Sequence, residues 1–271
     1  MVTNEYNLHQ MEHISSRQNA IVKRFRDLAR RAPRAGTLLL DGEHLLEEAM
    51  ASGAEIEVAA FAGTGARDRF EALADRTRRA GARTVEVTDQ VLAAISPVRH
   101  PSGVVAIVRH PEPTLEQVFA VRPQLVLLLS DVQDPGNVGA AVRAAEACGA
   151  TGLVAAGATA DPFGWKALRG AMGSTFRVPV ARRPLDEAVA AARAAGVRLF
   201  AAVPRGGTPL SACDLRQPCA IIVGGEGAGI APAQIEAADQ RVTIPMRGRV
   251  ESLNVAIAAA LIAYEASRQR R

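Results

Sequence analysis

Cysteine is scarce in this sequence, and the few thiols have no recognisable spacing. There are three, Cys148, Cys213 and Cys219, with no Cys-x-x-Cys pair among them. An odd, scattered set is typical of a reducing compartment, so we expect a cytoplasmic protein without a disulfide framework. The five histidines are scattered too, and none has the spacing of a metal-ligand pair. The sequence therefore predicts no metal site.

Long hydrophobic runs are also absent. The longest, residues 255–264, is ten residues long, well below the ~18–20 that a membrane helix needs, and predicts a buried helix. The polar start MVTNEYNLHQ has none of the features of a signal peptide. Apolar residues still make up 48% of the 271 residues and charged residues 22%, which is typical of a globular chain of one or two domains. We expect no membrane partner, and disorder only over residues 1–12.

Lysine is nearly absent, since Lys23 and Lys166 are the only two, so arginine carries most of the positive charge. The chain has 32 basic and 28 acidic residues. Residues 1–34 hold seven cations against three acids, a local net charge of +4. A polyanionic partner is one interpretation of this cluster, and a solvated helix face is the other. The cations are Arg17, Lys23, Arg24, Arg26, Arg30, Arg31 and Arg34, and the acids are Glu5, Glu12 and Asp27.

The order of apolar runs predicts two α/β domains joined by a linker. Helical and strand-like patterns alternate over residues 13–108, which predicts a small α/β layer domain. Its first predicted helix covers residues 15–31 and is ended by Pro33. Residues 109–123 contain three prolines and are predicted to be a linker. Over residues 124–271, continuous apolar strands alternate with helices, which favours a mostly parallel sheet covered on both faces. The strands predicted there are 125–129, 152–155, 177–180, 198–203, 220–223 and 241–244.

The first segment that suggests chemistry follows predicted strand 125–129. A tight turn, residues 134–137, leads into an alanine-rich helix, and Asn137 is suited to cap its free amides. Arg143 is the one large cation on this helix of small residues, so a close neighbour would leave it facing a cleft. The structural alternative is that Asn137 only caps the helix and Arg143 pairs with Glu146 at i+3.

The second segment places four glycines around one carboxylate, Glu226, after predicted strand 220–223. So many glycines at a strand's end allow backbone groups to touch a ligand directly. Their spacing is wrong for the Gly-x-Gly-x-x-Gly dinucleotide fingerprint, which makes a nicotinamide-dependent oxidoreductase a poor interpretation. A flexible turn before a helix near Pro232 is the structural alternative. The glycines are Gly224, Gly225, Gly227 and Gly229.

The third segment joins the last predicted strand to the last predicted helix. A polar loop with Arg247 and Arg249 leads to Ser252 and Asn254 at the start of that helix. A Ser-x-Asn sequence at a helix N-terminus suits an anionic or hydroxyl-bearing ligand. The structural alternative is that Ser252 caps the helix and Asn254 forms a local hydrogen bond.

Taken in order, these segments resemble the three motifs of the SpoU (TrmH) family of RNA ribose 2′-O-methyltransferases, in the SPOUT superfamily. The resemblance covers residues 124–268. Further upstream, residues 18–25, 41–43 and 100–108 resemble the ribosomal-protein-like substrate-binding domain of many members. The residues that carry the motifs are Asn137 and Arg143 in the first, Gly224 and Glu226 in the second, and Ile244, Pro245, Met246, Ser252, Leu253 and Asn254 in the third.

The resemblance implies a fold class and a cofactor. The fold would be α/β: a SPOUT-type, mostly parallel sheet with helices on both faces and a deep trefoil knot, beside a small N-terminal α/β domain. It also implies an S-adenosylmethionine pocket held by Gly224, Ile244, Met246 and Leu253, and a homodimer with active sites at its interface. The reaction would be attack of a ribose 2′-oxygen on the sulfonium methyl group.

The same resemblance assigns roles to the site residues. A guanidinium is a poor proton acceptor, so stabilisation of a developing alkoxide is a more physical role for Arg143 than that of a base. The extra N-terminal domain favours ribosomal RNA as the substrate. A transfer RNA 2′-O-methyltransferase and a non-catalytic RNA-binding or ribosome-assembly protein on the same fold are the alternatives. Asn137, Glu226, Ser252 and Asn254 would orient the reactants, and Lys23, Arg24, Arg26, Arg247 and Arg249 would contact RNA.

Overall fold

The structure is a computed structural model that describes residues 11–30, 36–63, 67–226 and 229–271. The chain divides into two compact units, with the division between His110 and Pro111. Several features of the sequence lie outside the described residues: Glu5, Arg31, Arg34, Gly227, Pro33 as the predicted end of a helix, and the predicted disorder of residues 1–10.

The first unit is a five-stranded sheet with helices packed on it, in the strand order β1-β4-β3-β5-β2. Strands β1, β4 and β3 run parallel, and β5 runs antiparallel to both β3 and β2. This confirms the small α/β domain. Its elements are β1 (Glu12–Ile14), α1 (Ala20–Arg30), β2 (Thr37–Asp41), α2 (Glu43–Ala51), β3 (Glu55–Ala62), α3 (Arg67–Arg79), β4 (Arg83–Val87), α4 (Asp89–Ile95) and β5 (Val104–Arg109).

Two details at the start of this unit differ from the prediction. Glu12 was expected in a disordered start, but it lies in β1, where it pairs with Val85 of β4. The helix predicted from Ser15 begins only at Ala20, because the Asn19 side chain accepts a hydrogen bond from the backbone N–H of Ile21 at 2.8 Å. The cap, and not the apolar periodicity, sets the first residue of the helix.

The second unit is a seven-stranded sheet in the order β10-β12-β9-β11-β6-β7-β8, and every pairing in it is parallel. This confirms the predicted parallel sheet. Its elements are α5 (Leu115–Val118), β6 (Leu125–Ser130), α6 (Pro135–Ala147), β7 (Gly152–Ala156), α7 (Trp165–Ala171), β8 (Val180–Arg182), α8 (Leu185–Ala194), β9 (Arg198–Ala202), β10 (Thr208–Pro209), β11 (Cys219–Gly224), α9 (Pro232–Glu236), β12 (Gln240–Thr243) and α10 (Val255–Gln269).

Both faces of this sheet are covered. Val126 and Leu128 of β6 belong to a buried cluster with residues of α8, while Leu127 between them is equally buried. Successive side chains of a strand point to opposite faces, so helices must cover the two sides. This explains why the strands read as continuous apolar runs.

Two segments of the second unit differ from the sequence pattern. Part of the predicted linker is folded: α5 begins with a Thr114–Gln117 capping box, and Val118 and Phe119 are buried in the core of the second unit. The strand predicted over residues 177–180 lies instead at Val180–Arg182, because a 3₁₀ turn occupies residues 174–176. In the described part of the chain, no helix combines the length and hydropathy that a membrane crossing requires.

The strand order opens a crevice at one edge of the sheet. β6 and β11 are neighbours, but the chain leaves β6 towards β7 and leaves β11 towards β12 on the other side. Loops diverge at the carboxyl ends of two such strands, and ligands of open α/β sheets bind there. The first two candidate segments follow β6 and β11 directly.

Candidate active site

A cavity of about 520 Å³ lies at the carboxyl ends of β9, β11 and β12. The four residues predicted to hold the cofactor all line it: Gly224, Ile244, Met246 and Leu253. Glu226 and Ser252, predicted as orienting residues, line it as well. The structure thus brings the second and third segments together around the same cavity.

The glycines of the second segment are required where the chain packs against itself. A Cβ on Gly224 would lie 2.5 Å from the carbonyl carbon of Gly229, and one on Gly225 would lie 2.0 Å from the carbonyl oxygen of Asp131. Gly225 also forms an antiparallel bridge with Gly229. The loop therefore folds back onto the end of its own strand, which places Ile230 in the cavity wall.

Three polar side chains, one from each candidate segment, form a hydrogen-bonded cluster. The side-chain amide of Asn137 donates to Oε1 of Glu226 at 2.8 Å. The amide of Asn254 donates to Oδ1 of Asn137 at 3.0 Å and to Oε1 of Glu226 at 3.4 Å. Asn137 and Glu226 follow β6 and β11, so the cluster lies at the point where the strand connections diverge. A carboxylate that accepts from two amides is fixed in orientation.

The helix caps differ from those expected, and this leaves Asn137 available to the cluster. Oδ1 of Asp134 caps α6 by accepting from the backbone N–H groups of Gly136 and Asn137 at 2.6 and 3.0 Å. The suggestion that Asn137 is the cap is therefore wrong, because α6 begins at Pro135, one turn earlier than expected.

Asn254, and not Ser252, caps the last helix. Its Oδ1 accepts from the backbone N–H groups of Ala256 and Ile257 at 2.9 and 3.3 Å. This arrangement fixes the orientation of the side-chain amide, because the oxygen faces the helix and the nitrogen must face Asn137 and Glu226. The same residue therefore begins α10 and joins the cluster.

Arg143 does not line the cavity of its own chain. It lies on the exposed side of α6, and within the described residues no hydrogen bond or ion pair engages it. The predicted alternative, a pair with Glu146, does not form, since Glu146 accepts from Arg177 instead, with one contact at 3.0 Å. The guanidinium of Arg143 is thus free to meet another molecule.

The predicted RNA contacts are exposed or half-buried cations. Arg247 and Arg249 lie in the loop between β12 and α10. In the first unit, Lys23 and Arg26 lie on α1, and Arg24 beside them forms an ion pair with Glu57. Arg24 therefore has a partner within its own unit.

Sequence reasoning missed the contribution of β9. Ala202, Val203, Pro204 and Arg205 line the cavity at the end of that strand. The signal was present, because strand 198–203 was predicted and ligands bind at the carboxyl ends of such strands. No motif marked these residues, so only the strand order, which puts β9 beside β11, identifies them.

Comparison with protein families agrees with both units. The SpoU rRNA Methylase family matches residues 124–264. The MRM3-like substrate binding domain matches residues 19–106.

The chain is similar over nearly its whole length to two named methyltransferases. The 23S rRNA (guanosine(2553)-2′-O)-methyltransferase RlmP of Bacillus subtilis is 35% identical over 94% of this chain and 98% of that protein. The 23S rRNA (guanosine-2′-O-)-methyltransferase RlmB of Bordetella pertussis is 31% identical over 88% of this chain and 99% of that protein.

Solved structures show the same fold. The AdoMet-bound rRNA methyltransferase from Sinorhizobium meliloti is similar with a TM-score of 0.85 and 30% identity, over 95% of this chain and 98% of that one. AviRb from Streptomyces viridochromogenes, in complex with AdoMet, gives 0.84 and 31%, over 93% and 98%. The predictions of fold class, RNA 2′-O-methyltransferase activity and S-adenosylmethionine as cofactor are confirmed. The chain belongs to the SpoU rRNA methylase family.

Proposed function

We propose that this RNA 2′-O-methyltransferase acts on ribosomal RNA in the cytoplasm, as a homodimer. The observation that carries the proposal is the Asn137–Glu226–Asn254 cluster beside a cavity at the carboxyl ends of a parallel sheet. Relatives that match both units over almost their whole length bear names of 23S rRNA methyltransferases, which supports ribosomal over transfer RNA.

The cavity fits S-adenosylmethionine in size and in chemistry. Its volume of about 520 Å³ lies within the roughly 300–1,000 Å³ of small-molecule sites. Val223, Ile230 and Val242 give it apolar walls that suit an adenine ring, and Glu226 and Ser252 add polar groups. We assign Gly224, Ile244, Met246 and Leu253 to hold the cofactor, largely through backbone groups.

The remaining residues position the second reactant. When bound, S-adenosylmethionine supplies a methyl group on an electrophilic sulfonium, so the protein's main task is orientation. Asn137, Glu226 and Asn254 form a fixed platform beside the cavity, with Ser252 next to it. The guanidinium of Arg143 stabilises negative charge on the ribose 2′-oxygen.

A homodimer would account for the position of Arg143, which is exposed and does not line its own cavity. On α10, Ile257, Leu261 and Tyr264 are 53%, 41% and 57% exposed, and their spacing puts them on one helix face. α10 packs against α6, whose exposed residues include Ala140 and Arg143. An apolar face of this kind on two adjoining helices marks a contact surface. A second copy seated there would receive Arg143 at its own active site.

The predicted RNA contacts extend this assignment. We assign Lys23 and Arg26, together with Arg247 and Arg249, to RNA phosphates, because arginine and lysine side chains at exposed or half-buried positions neutralise the backbone charge. Arg24 contributes less, since Glu57 already neutralises it.

Methyl transfer from radiolabelled S-adenosylmethionine tests the proposal. The purified chain should label ribosomal RNA and not transfer RNA. The Arg143→Ala variant should lose about a hundredfold or more in rate, while calorimetric affinity for S-adenosylhomocysteine stays unchanged. Near-normal turnover of this variant would contradict the role of Arg143.

Two other outcomes of this assay would replace the proposed function with a different one. Labelling of transfer RNA alone would identify a transfer RNA enzyme. The absence of any labelling, with RNA binding retained, would identify a non-catalytic binding protein. Mapping 2′-O-methyl groups in RNA from a strain that lacks the protein would then identify the nucleotide.

A further inference from the structure

A loop of residues 203–207, which follows β9, lies at one edge of the cavity, and the hydroxyl group of Thr243 binds both of its ends. Oγ1 of Thr243 donates to the carbonyl oxygen of Val203 at 3.0 Å and accepts from the backbone N–H of Gly207 at 2.9 Å. A Cβ on Gly207 would lie 2.7 Å from Oγ1 of Thr243. Thr243 therefore fixes both ends of the 203–207 loop.

Arg205 occupies the middle of this loop and lines the cavity. It is exposed, and among the described residues no carboxylate or carbonyl group binds it. Among the described residues of the cavity lining, the one carboxylate is Glu226, which already accepts from Asn137 and Asn254. A second cation, Arg241, also lines it but belongs to β12, where it pairs with Ala201 before the strand ends. Of the two arginines that line the cavity among the described residues, Arg205 is the one that lies beyond the strand ends, where ligands bind.

We propose that Arg205 binds the carboxylate of the amino-acid end of S-adenosylmethionine, and that Thr243 is the positioning residue that presents it. The inference rests on the proposed function. The carboxylate is the only anionic group of that ligand, and a guanidinium is suited to bind a carboxylate through two parallel hydrogen bonds. The apolar walls contact the adenosine part, so Arg205 selects for ligands that carry the amino-acid end.

Calorimetric binding of two ligands separates this role from a general effect on the cavity. S-Adenosylhomocysteine carries the carboxylate, whereas 5′-methylthioadenosine lacks the whole amino-acid end. Arg205→Ala should weaken binding of the first about tenfold and leave binding of the second unchanged. The matched control is Arg216→Ala, which removes an exposed arginine paired with Asp214 away from the cavity and should change neither affinity.

Substitutions of Thr243 test the positioning role independently of Arg205. Thr243→Val removes the hydroxyl at nearly constant size and should weaken S-adenosylhomocysteine binding selectively, while Thr243→Ser, which keeps the hydroxyl, should restore it. Equal losses for both ligands in either variant would mean that the loop only shapes the cavity, and would overturn the proposal.

The remaining outcomes identify what failed. If Arg205→Ala weakens binding of RNA but not of S-adenosylhomocysteine, the guanidinium contacts a phosphate and the proposal is wrong. If the unmodified chain binds S-adenosylhomocysteine normally and Arg205→Ala has no effect, this inference alone fails. If the unmodified chain binds neither ligand, the proposed function fails with it.

Discussion

Asn254 combines two roles that a pair of substitutions separates. Its oxygen caps α10, and its amide nitrogen donates to Asn137 and Glu226. Asn254→Asp keeps an oxygen for the cap but loses the donor and places a second negative charge beside Glu226. We expect its thermal midpoint to stay near that of the unmodified chain, and its rate of methyl transfer to fall.

The control is Asn254→Ala, which removes both functions. It should lower the free energy of unfolding by about 0.5–2 kcal/mol, the usual effect of losing a cap, in addition to the loss of activity. Thermal unfolding followed by circular dichroism, with initial rates measured beside it, checks both variants. An Asp variant with full activity would mean that the cluster is only a structural contact.

Among single residues, those of the three motifs were predictable from the family resemblance, but their local hydrogen-bonding roles were not. The resemblance to the SpoU family singled out Asn137, Glu226 and Asn254, which the structure joins by hydrogen bonds. Asn137 was predicted to cap α6, but Asp134 caps it instead, so the choice of cap depends on where the helix begins. Pro135 at the first helical position decides it, and Asn137 then becomes available to a carboxylate 89 residues away in the sequence.

Among the elements, α6 and α7 pack so closely that a glycine is required between them. A Cβ on Gly139 would lie 2.3 Å from the carbonyl oxygen of Ala167 and 2.9 Å from Cα of Gly170. Replacing a helical glycine with alanine normally stabilises by about 0.5–1 kcal/mol. Here Gly139→Ala should instead lower the free energy of unfolding by about 1–3 kcal/mol through overpacking.

Urea unfolding checks this prediction. The control is Ala190→Gly at an exposed position of α8, which should cost about 1 kcal/mol through helix preference alone. A Gly139→Ala variant that is more stable than the unmodified chain would show that the two helices separate without cost.

Element type was predictable where apolar periodicity was long, and it failed where elements were short. β6, β9 and β11 were predicted because strands buried on both faces are continuous apolar runs. β1 and β10 have three and two residues, which is too short to show an alternation of apolar and polar side chains. Only their pairing with a neighbouring strand defines them. α5 was not predicted as a helix, because it has only four residues and prolines flank it on both sides.

For the whole molecule, the apolar face of α10 predicts self-association. The unmodified chain should sediment at twice its monomer mass of 28.5 kDa. Leu261→Glu places a charge in the centre of that face, and we expect it to sediment as a monomer and to lose methyl transfer while it still binds S-adenosylhomocysteine. Ala190→Glu, on the exposed side of α8, is the control and should remain dimeric. A monomeric unmodified chain at micromolar concentration would contradict the prediction.

The arrangement of the whole chain was accessible only through the resemblance. Periodicity predicts strands and helices, but it carries no information on which strand lies beside which. The insertion of β11 between β9 and β6, which creates the cavity, therefore could not be derived from local patterns. The deep trefoil knot and the domain boundaries at residues 108 and 124 stay predictions.

The hydrogen bond between Asn137 and Asn254 joins residues that are 117 positions apart. A ribosome that has just added Asn137 must therefore read 117 more codons before the cluster can close. A product that stops between Thr243 and Asn254 has the described strands of the sheet but neither the cap of α10 nor the donor to Glu226. Methyl transfer in a growing culture thus reports only on chains translated past this codon.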